Sequence, residues 1–215
     1  MRLLDCFDDV QVINLSSRKD RRREMLAQYG GFHFFPAIRP DNPAPFSSIG
    51  FKGSYLSHLA LLKRAKGSIL ILEDDCDFLE EAWSYQVPVD CDIFYGGYEK
   101  VSKPNDLINS DIIGAHCMGF SAKAAKMAAE YLDRLLDISY PADPQAMTES
   151  GFNPSIRPPI DGSYVWFRRA HPELKTVFKD FAVQRPSRSD ITPGALYNRI
   201  WGVRRIVDLG RSIIR

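Results

Sequence analysis

Residues 69–75 read Ile-Leu-Ile-Leu-Glu-Asp-Asp, and this stretch decides the fold. ILIL is short and wholly apolar, the pattern of a central strand of a parallel sheet buried on both faces. The three carboxylates of Glu73, Asp74 and Asp75 then emerge together at the carboxyl end of that strand, where open α/β sheets place their ligands. Adjacent like charges repel. A hard divalent cation would account for their concentration, and so would a solvated turn or a helix start, where the helix dipole favours acids. The cluster has no Cys or His neighbour of the zinc type, so the candidate ions are Mn²⁺ and Mg²⁺. Asp77, Glu80 and Glu81 continue the acidity as decoration of a helix surface.

The alternation of elements extends in both directions from this strand. On the N-terminal side, VQVINL (10–15) reads as a strand and DRRREMLAQYGG as a helix closed by a left-handed glycine cap. FHFFPAI (32–38) is a second strand, and Pro40 to Pro45 with Ser47 and Ser48 form a loop. SYLSHLALLKRAKG, from Ser54, packs Leu56, Leu59, Ala60 and Leu62 along a helix that stops at Gly67. On the C-terminal side, DIFY (92–95) and IIGAHCMGF (112–120) are strands. Ser121 caps a helix whose Ala122, Ala125, Ala128, Leu132 and Leu135 share one face. A long Pro- and Gly-containing connection spans 141–160, and such loops often carry function. A helix from Asp161 through GSYVWFRRA and a strand TVFKDFAVQ (176–184) complete an α/β fold with a mostly parallel central sheet.

The chain has 215 residues with 28 Lys and Arg against 27 Asp and Glu, a balance that excludes a general nucleic-acid binder. Residues 197–215 are the exception, with five Arg against one Asp, leaving 23 basic and 26 acidic side chains in residues 1–196. The sequence YNRIWGVRRIVDLGRSIIR suits a basic amphipathic helix, able to lie on an anionic membrane or to pack on the preceding domain. The domain expected is therefore 1–196, with 197–215 as an appended helix. Cys6, Cys76, Cys91 and Cys117 form no CxxC pair, and the N-terminus lacks a basic-then-apolar leader, which predicts reduced thiols in the cytoplasm.

Five segments fall into a recognisable order: INLSSRKDRR (13–22), GSYLSHLALLK (53–63), LILEDD (70–75), DIFYGG (92–97) and VQRPSRSDI (183–191). Together they resemble glycosyltransferase family 25, the lipooligosaccharide-type sugar transferases related to collagen galactosyltransferases. The resemblance implies a GT-A type Rossmann-like fold and an inverting, metal-dependent hexosyl transfer from a UDP-sugar such as UDP-galactose. It further implies an acceptor that is a saccharide of lipopolysaccharide or surface polysaccharide. A protein hydroxyl of collagen-like type is the alternative within enzymes, and a catalytically silent sugar-nucleotide-binding domain the alternative outside them.

The resemblance places a metal on Asp75 and Glu73, with Asp74 or Glu73 assisting at the ribose. Asn14, Leu15, Arg18 and Arg21 stand where backbone groups read a base edge and guanidinium groups stack on it or pair with phosphate. Ser57 and His58 are implied donor-site residues, although apolar neighbours equally allow a buried structural histidine. Asp161, on a loop-to-helix junction after two prolines, is the candidate base that takes the acceptor hydroxyl's proton; an N-cap is its bland role. Gln184, Arg185, Ser189 and Asp190 form a polar loop able to close over diphosphate or acceptor.

Overall fold

The computed structural model describes residues 3–185. In chain order these form β1 (Asp9–Asn14), α1 (Lys19–Gln28), β2 (His33–Pro36), α2 (Ile49–Arg64), β3 (Ile69–Glu73), β4 (Cys76–Phe78), β5 (Ile93–Gly97), β6 (Lys100–Val101), β7 (Ile112–Ile113), β8 (Cys117–Phe120), α3 (Ala122–Leu135), α4 (Ile160–Ala170), β9 (Thr176–Phe178) and β10 (Ala182–Gln184). The main sheet has six strands in the order β2-β1-β3-β8-β5-β9. β1 runs parallel to β2 and β3, and β5 parallel to β9, while β8 is antiparallel to both β3 and β5. Five strands thus share one direction, and their carboxyl ends share one edge. Ser189, Asp190 and the 197–215 segment lie outside the described residues. Among the described residues no helix is long and apolar enough to cross a membrane.

β3 is the spine of two cores. Ile69 and Ile71 point to the face covered by α2, α3 and α4, and Leu70 and Leu72 to the face that takes Leu3, Leu4, Met25 and Phe32. All four side chains are at most 1% exposed, as expected of an apolar run in a sheet covered on both sides. One neighbour, β8, is antiparallel, which the apolar run alone does not reveal.

Capping explains the helices. Ser121 accepts from the Ala124 amide at 3.1 Å and donates to Asp92 Oδ1 at 2.9 Å, so α3 starts where its alanine face begins. α2 starts at Ile49, five residues ahead of the expected Ser54, because Ser48 caps it by accepting from the Phe51 amide at 3.1 Å. Its glycines suggest a loop in sequence, but Gly53 is required by packing. A Cβ there would lie 2.6 Å from the Ile38 carbonyl oxygen. α1 is different in kind, a polar helix that buries only Arg21 and Met25. It passes into extended backbone at Tyr29, and neither Gly30 nor Gly31 adopts the left-handed cap expected of them.

Four further expectations are corrected. The 112–120 segment is two strands, β7 and β8, separated at Gly114, whose φ of +112° breaks the ladder. The 176–184 segment is likewise two, because the chain leaves the main sheet after Phe178 and pairs β10 with β4. Asp77 therefore lies in β4 rather than on a helix, and Asp161 lies in the first turn of α4, whose N-cap is Pro159.

Candidate functional site

The carboxyl ends of β1 and β3 and the helices that follow β1 and precede β3 surround a cavity of about 260 Å³. One wall is apolar, with Leu15, Ile38 and Ile49; the other carries Arg21, Glu73, Asp74 and Asp75, and the exposed Arg39 stands at its lip. Asn14 ends β1 and donates its amide to Asp74 Oδ2 at 2.7 Å, and the guanidinium Nη1 of Arg21 meets Asp74 Oδ1 at 2.6 Å and Asp75 Oδ2 at 3.0 Å. These side chains are all under a tenth exposed, so the pairing operates at low effective dielectric, where a lost partner is costly.

Ser54, Glu73 and Gln184 line this cavity and also a second one of about 130 Å³, whose other walls include Phe51, Glu99, Gly114, His116, Ile160 and Asp161. The shared residues are the partition between the two. Glu73 Oε1 accepts from Ser54 Oγ at 3.3 Å, and Gln184 Nε2 reaches Asp75 Oδ2 at 3.4 Å. His58 turns Nε2 toward Glu73 Oε1 at 3.8 Å, beyond hydrogen-bond range, while Tyr164 Oη holds its Nδ1 at 3.0 Å.

The ionisable groups on the two sides are tuned differently. Burial pushes the Glu73 carboxyl up, but the facing His58, with His116 and Ser54, holds it below the usual range on balance. Burial raises Asp161, and the charge of Glu73 raises it further, while the Gly162 amide, donating to its Oδ1 at 2.8 Å, opposes this. Asp75 is pushed up to about 7, chiefly by burial and then by the charge of Glu73, with Arg21 acting against both.

The Asp75 shift has a measurable sign. Its folded pKa lies above the ordinary carboxylate value near 3.9, so its contribution to stability is fully present below about pH 4 and is lost as pH rises through about 7. Asp75→Asn removes that titration. Urea unfolding in chelator is expected to show the variant gaining on the natural chain between pH 4.5 and 7.5; a parallel pH dependence of the two would disprove it.

A cation fits the donor chemistry here. Asp75 Oδ1 is buried with no hydrogen-bond partner, and Glu73 lines the same cavity. Among the described residues no three His, Cys, Asp or Glu side chains form a complete ligand set.

The structure gathers most of the sequence candidates and redistributes some. Leu15, Arg21, Ser57, Glu73, Asp74, Asp75 and Gln184 line the first cavity, and Asp161 the second. Asn14 acts one step back, through Asp74. Ser57 is fully buried and bound to the backbone, donating to the Gly53 carbonyl at 2.7 Å and accepting from the Ile38 amide at 2.9 Å. His58 is also wholly buried and borders neither cavity, so it reaches the site only through Glu73. Arg18 pairs with Asp20 at 3.0 Å outside the cavity, and Arg185 clasps Asp77 and Glu24. Arg39 and Glu99 were not evident from sequence. Arg39 lies just beyond β2, as Asn14 and Glu73 end β1 and β3, and that position is the signal for it; nothing in the local sequence marks Glu99.

No family model matches the sequence, and no curated protein matches it. Among solved structures, similarity is found to a glycosyltransferase involved in the glycosylation of the major capsid of PBCV-1, at 13% identity and TM-score 0.43, covering 80% of this chain and 81% of that one. A nucleoside-diphosphate-sugar pyrophosphorylase from Vibrio cholerae RC9 is similar at 15% identity and TM-score 0.35, over 82% and 75% of the two chains. Both are loose likenesses of chain path.

Proposed function

We propose that this protein is a sugar-nucleotide-dependent glycosyltransferase. The observation that carries the reading is the pair of adjoining cavities, one with guanidinium groups and a carboxylate cluster, the other with Asp161, sharing Glu73, Ser54 and Gln184 as their partition. A transferase needs that layout. The nucleotide diphosphate lies in the first cavity, its base against Leu15, Ile38 and Ile49 and its phosphates toward Arg21 and Arg39. The anomeric carbon then falls at the partition, and the acceptor hydroxyl comes from the opposite side, so that attack is in line and the configuration inverts.

In that step the acceptor oxygen forms a bond to the anomeric carbon as the bond from that carbon to the phosphate oxygen breaks. The diphosphate departs with the electron pair. Asp161 takes the hydroxyl proton, a role worth about 10²- to 10⁴-fold in rate. Ser54 and Gln184 are placed to orient the sugar between the two cavities. When bound by Glu73 and Asp75, Mn²⁺ or Mg²⁺ supplies positive charge against the leaving diphosphate.

The finer reading is galactose from UDP-galactose, transferred to a surface glycolipid or polysaccharide. It rests on the five sequence segments that resemble family 25, as does the alternative of a protein hydroxyl acceptor. The cytoplasmic setting and the approach of residues 197–215 to anionic lipid rest on sequence as well. The deciding experiment is a screen of nucleotide sugars for diphosphate release with Mn²⁺, Mg²⁺ or chelator. Release from one donor, dependent on the ion and lost with Asp75→Asn, is the expected result. Nucleotide affinity with no release from any donor would make the protein a binding module and end the enzymatic reading.

A further inference from the structure

The two cavities differ in charge, and the difference bears on what the second one accepts. Glu73, Glu99 and Asp161 line it, and among the described residues no Lys or Arg does. His116 turns its Nε2 to the Ala182 carbonyl at 2.9 Å. Gln184 contributes an amide, already turned toward Asp75. Ser54, His116 and Gln184 carry the donors of this lining and each is already engaged with a protein acceptor, so what remains to meet a ligand is mainly carboxylate oxygen. Phe51, Ala115, Pro159 and Ile160 supply an apolar wall. The fully buried His58, whose Nε2 has no hydrogen-bond partner, faces the Glu73 carboxylate at 3.8 Å. A molecule that fits such a lining donates hydrogen bonds, presents one apolar face and carries no negative charge.

Glu99 is the member of the set that sits at the rim. It follows β5 and is exposed, and its backbone amide donates to the Ile113 carbonyl at 2.8 Å. Gly114 makes this path possible, because a Cβ there would lie 2.8 Å from the Glu99 nitrogen. The residue is thus held at the mouth by backbone geometry, where an incoming group passes it before reaching Asp161.

We propose that the second cavity admits an acceptor that is neutral or amine-bearing around its reacting hydroxyl, and that Glu99, with Asp161, turns away acceptors carrying a carboxylate or phosphate there. This rests on the transferase reading for the word acceptor, but the selectivity is a property of binding and is measured without turnover. The charges repel an anion through partly solvated space, so the discrimination weakens as salt shortens the screening length.

The test uses the full chain, saturated with UDP and Mn²⁺, and three methyl glycosides that differ at one substituent: a glucoside, a glucosaminide and a glucuronide. Affinities come from saturation-transfer NMR titration. The expected order is glucosaminide at least as tight as glucoside, with the glucuronide at least tenfold weaker at low salt and the gap narrowing several-fold in 0.5 M NaCl. Glu99→Gln is expected to narrow it likewise at low salt. A glucuronide bound within twofold of the glucoside overturns the proposal, and so does failure of all three to bind. An unchanged gap in Glu99→Gln removes Glu99 from it. Nucleotide-sugar cleavage without any added glycoside is followed in parallel and reports on the transferase reading alone, so the two can fail separately.

Discussion

Asp161→Asn is expected to lower kcat by about 10²-fold or more, a barrier increase of about 2.7 kcal/mol, with donor affinity nearly unchanged. The separation follows from location. Asp161 lines the cavity assigned to the acceptor and not the one assigned to the nucleotide. Pro159, not Asp161, caps α4, and Asn can still accept the Gly162 amide, so the fold is expected to survive. On the proposed reading the natural chain also carries a pH signature. A base works only when deprotonated, and burial and Glu73 raise Asp161, so kcat climbs with pH through a midpoint above the ordinary carboxylate range. Steady-state kinetics of both chains across pH 4–8 tests this. Should kcat of the variant stay within a few-fold, or the acid limb persist unchanged, the proton goes elsewhere.

Arg21→Met is expected to destabilise the fold by about 3–5 kcal/mol, because it strands two buried carboxylates that share one guanidinium. Met keeps much of the buried stem, so the loss reports on charge rather than on a void. α1 depends on this contact more than an amphipathic helix would, since its buried side chains are Arg21 and Met25 alone. Gln28 is a further tie, donating to the Cys76 carbonyl and accepting from the Phe78 amide, both at 2.9 Å. Adding Asp74→Asn to Arg21→Met is expected to restore part of the loss, as removing a stranded charge should. Urea unfolding of the natural chain, the single variants and the double variant measures the coupling. A loss below about 1 kcal/mol would show that the pair is solvated.

The spine of this fold was legible because burial on both faces writes itself as an unbroken apolar run. ILIL, the alanine face after Ser121 and the acids at the strand end were all read from local pattern. What escaped depended on distant contacts. α2 begins five residues early because Ser48 caps it, and Gly53 within it answers the close approach of Ile38, a fact of packing that looks in sequence like a helix breaker. The 176–184 strand divides because Lys179 and Phe181 donate to Tyr95 and Gly96 carbonyls as the chain changes sheets, and no alternation of residues records that. The site shows the same division. Candidates adjacent to strand ends were found in sequence, whereas the burial of Ser57 and His58 depends on what lies against α2. Arg39 and Glu99 come from segments whose approach to the site is set by tertiary structure.

The partition between the cavities also divides the chain. Apart from Gln184, the nucleotide side is built from residues 13–75, while Glu99, Gly114, His116 and Asp161 belong to later segments. The rim hairpin of β6 and β7 pairs outside the main sheet and joins the core through the fully buried Ile112, so its other positions can diverge without breaking a strand that lines the first cavity. On the proposed reading, proteins of this architecture could keep one donor while exchanging acceptors. Swapping residues 98–114 between such relatives would transplant the choice of acceptor as a cassette.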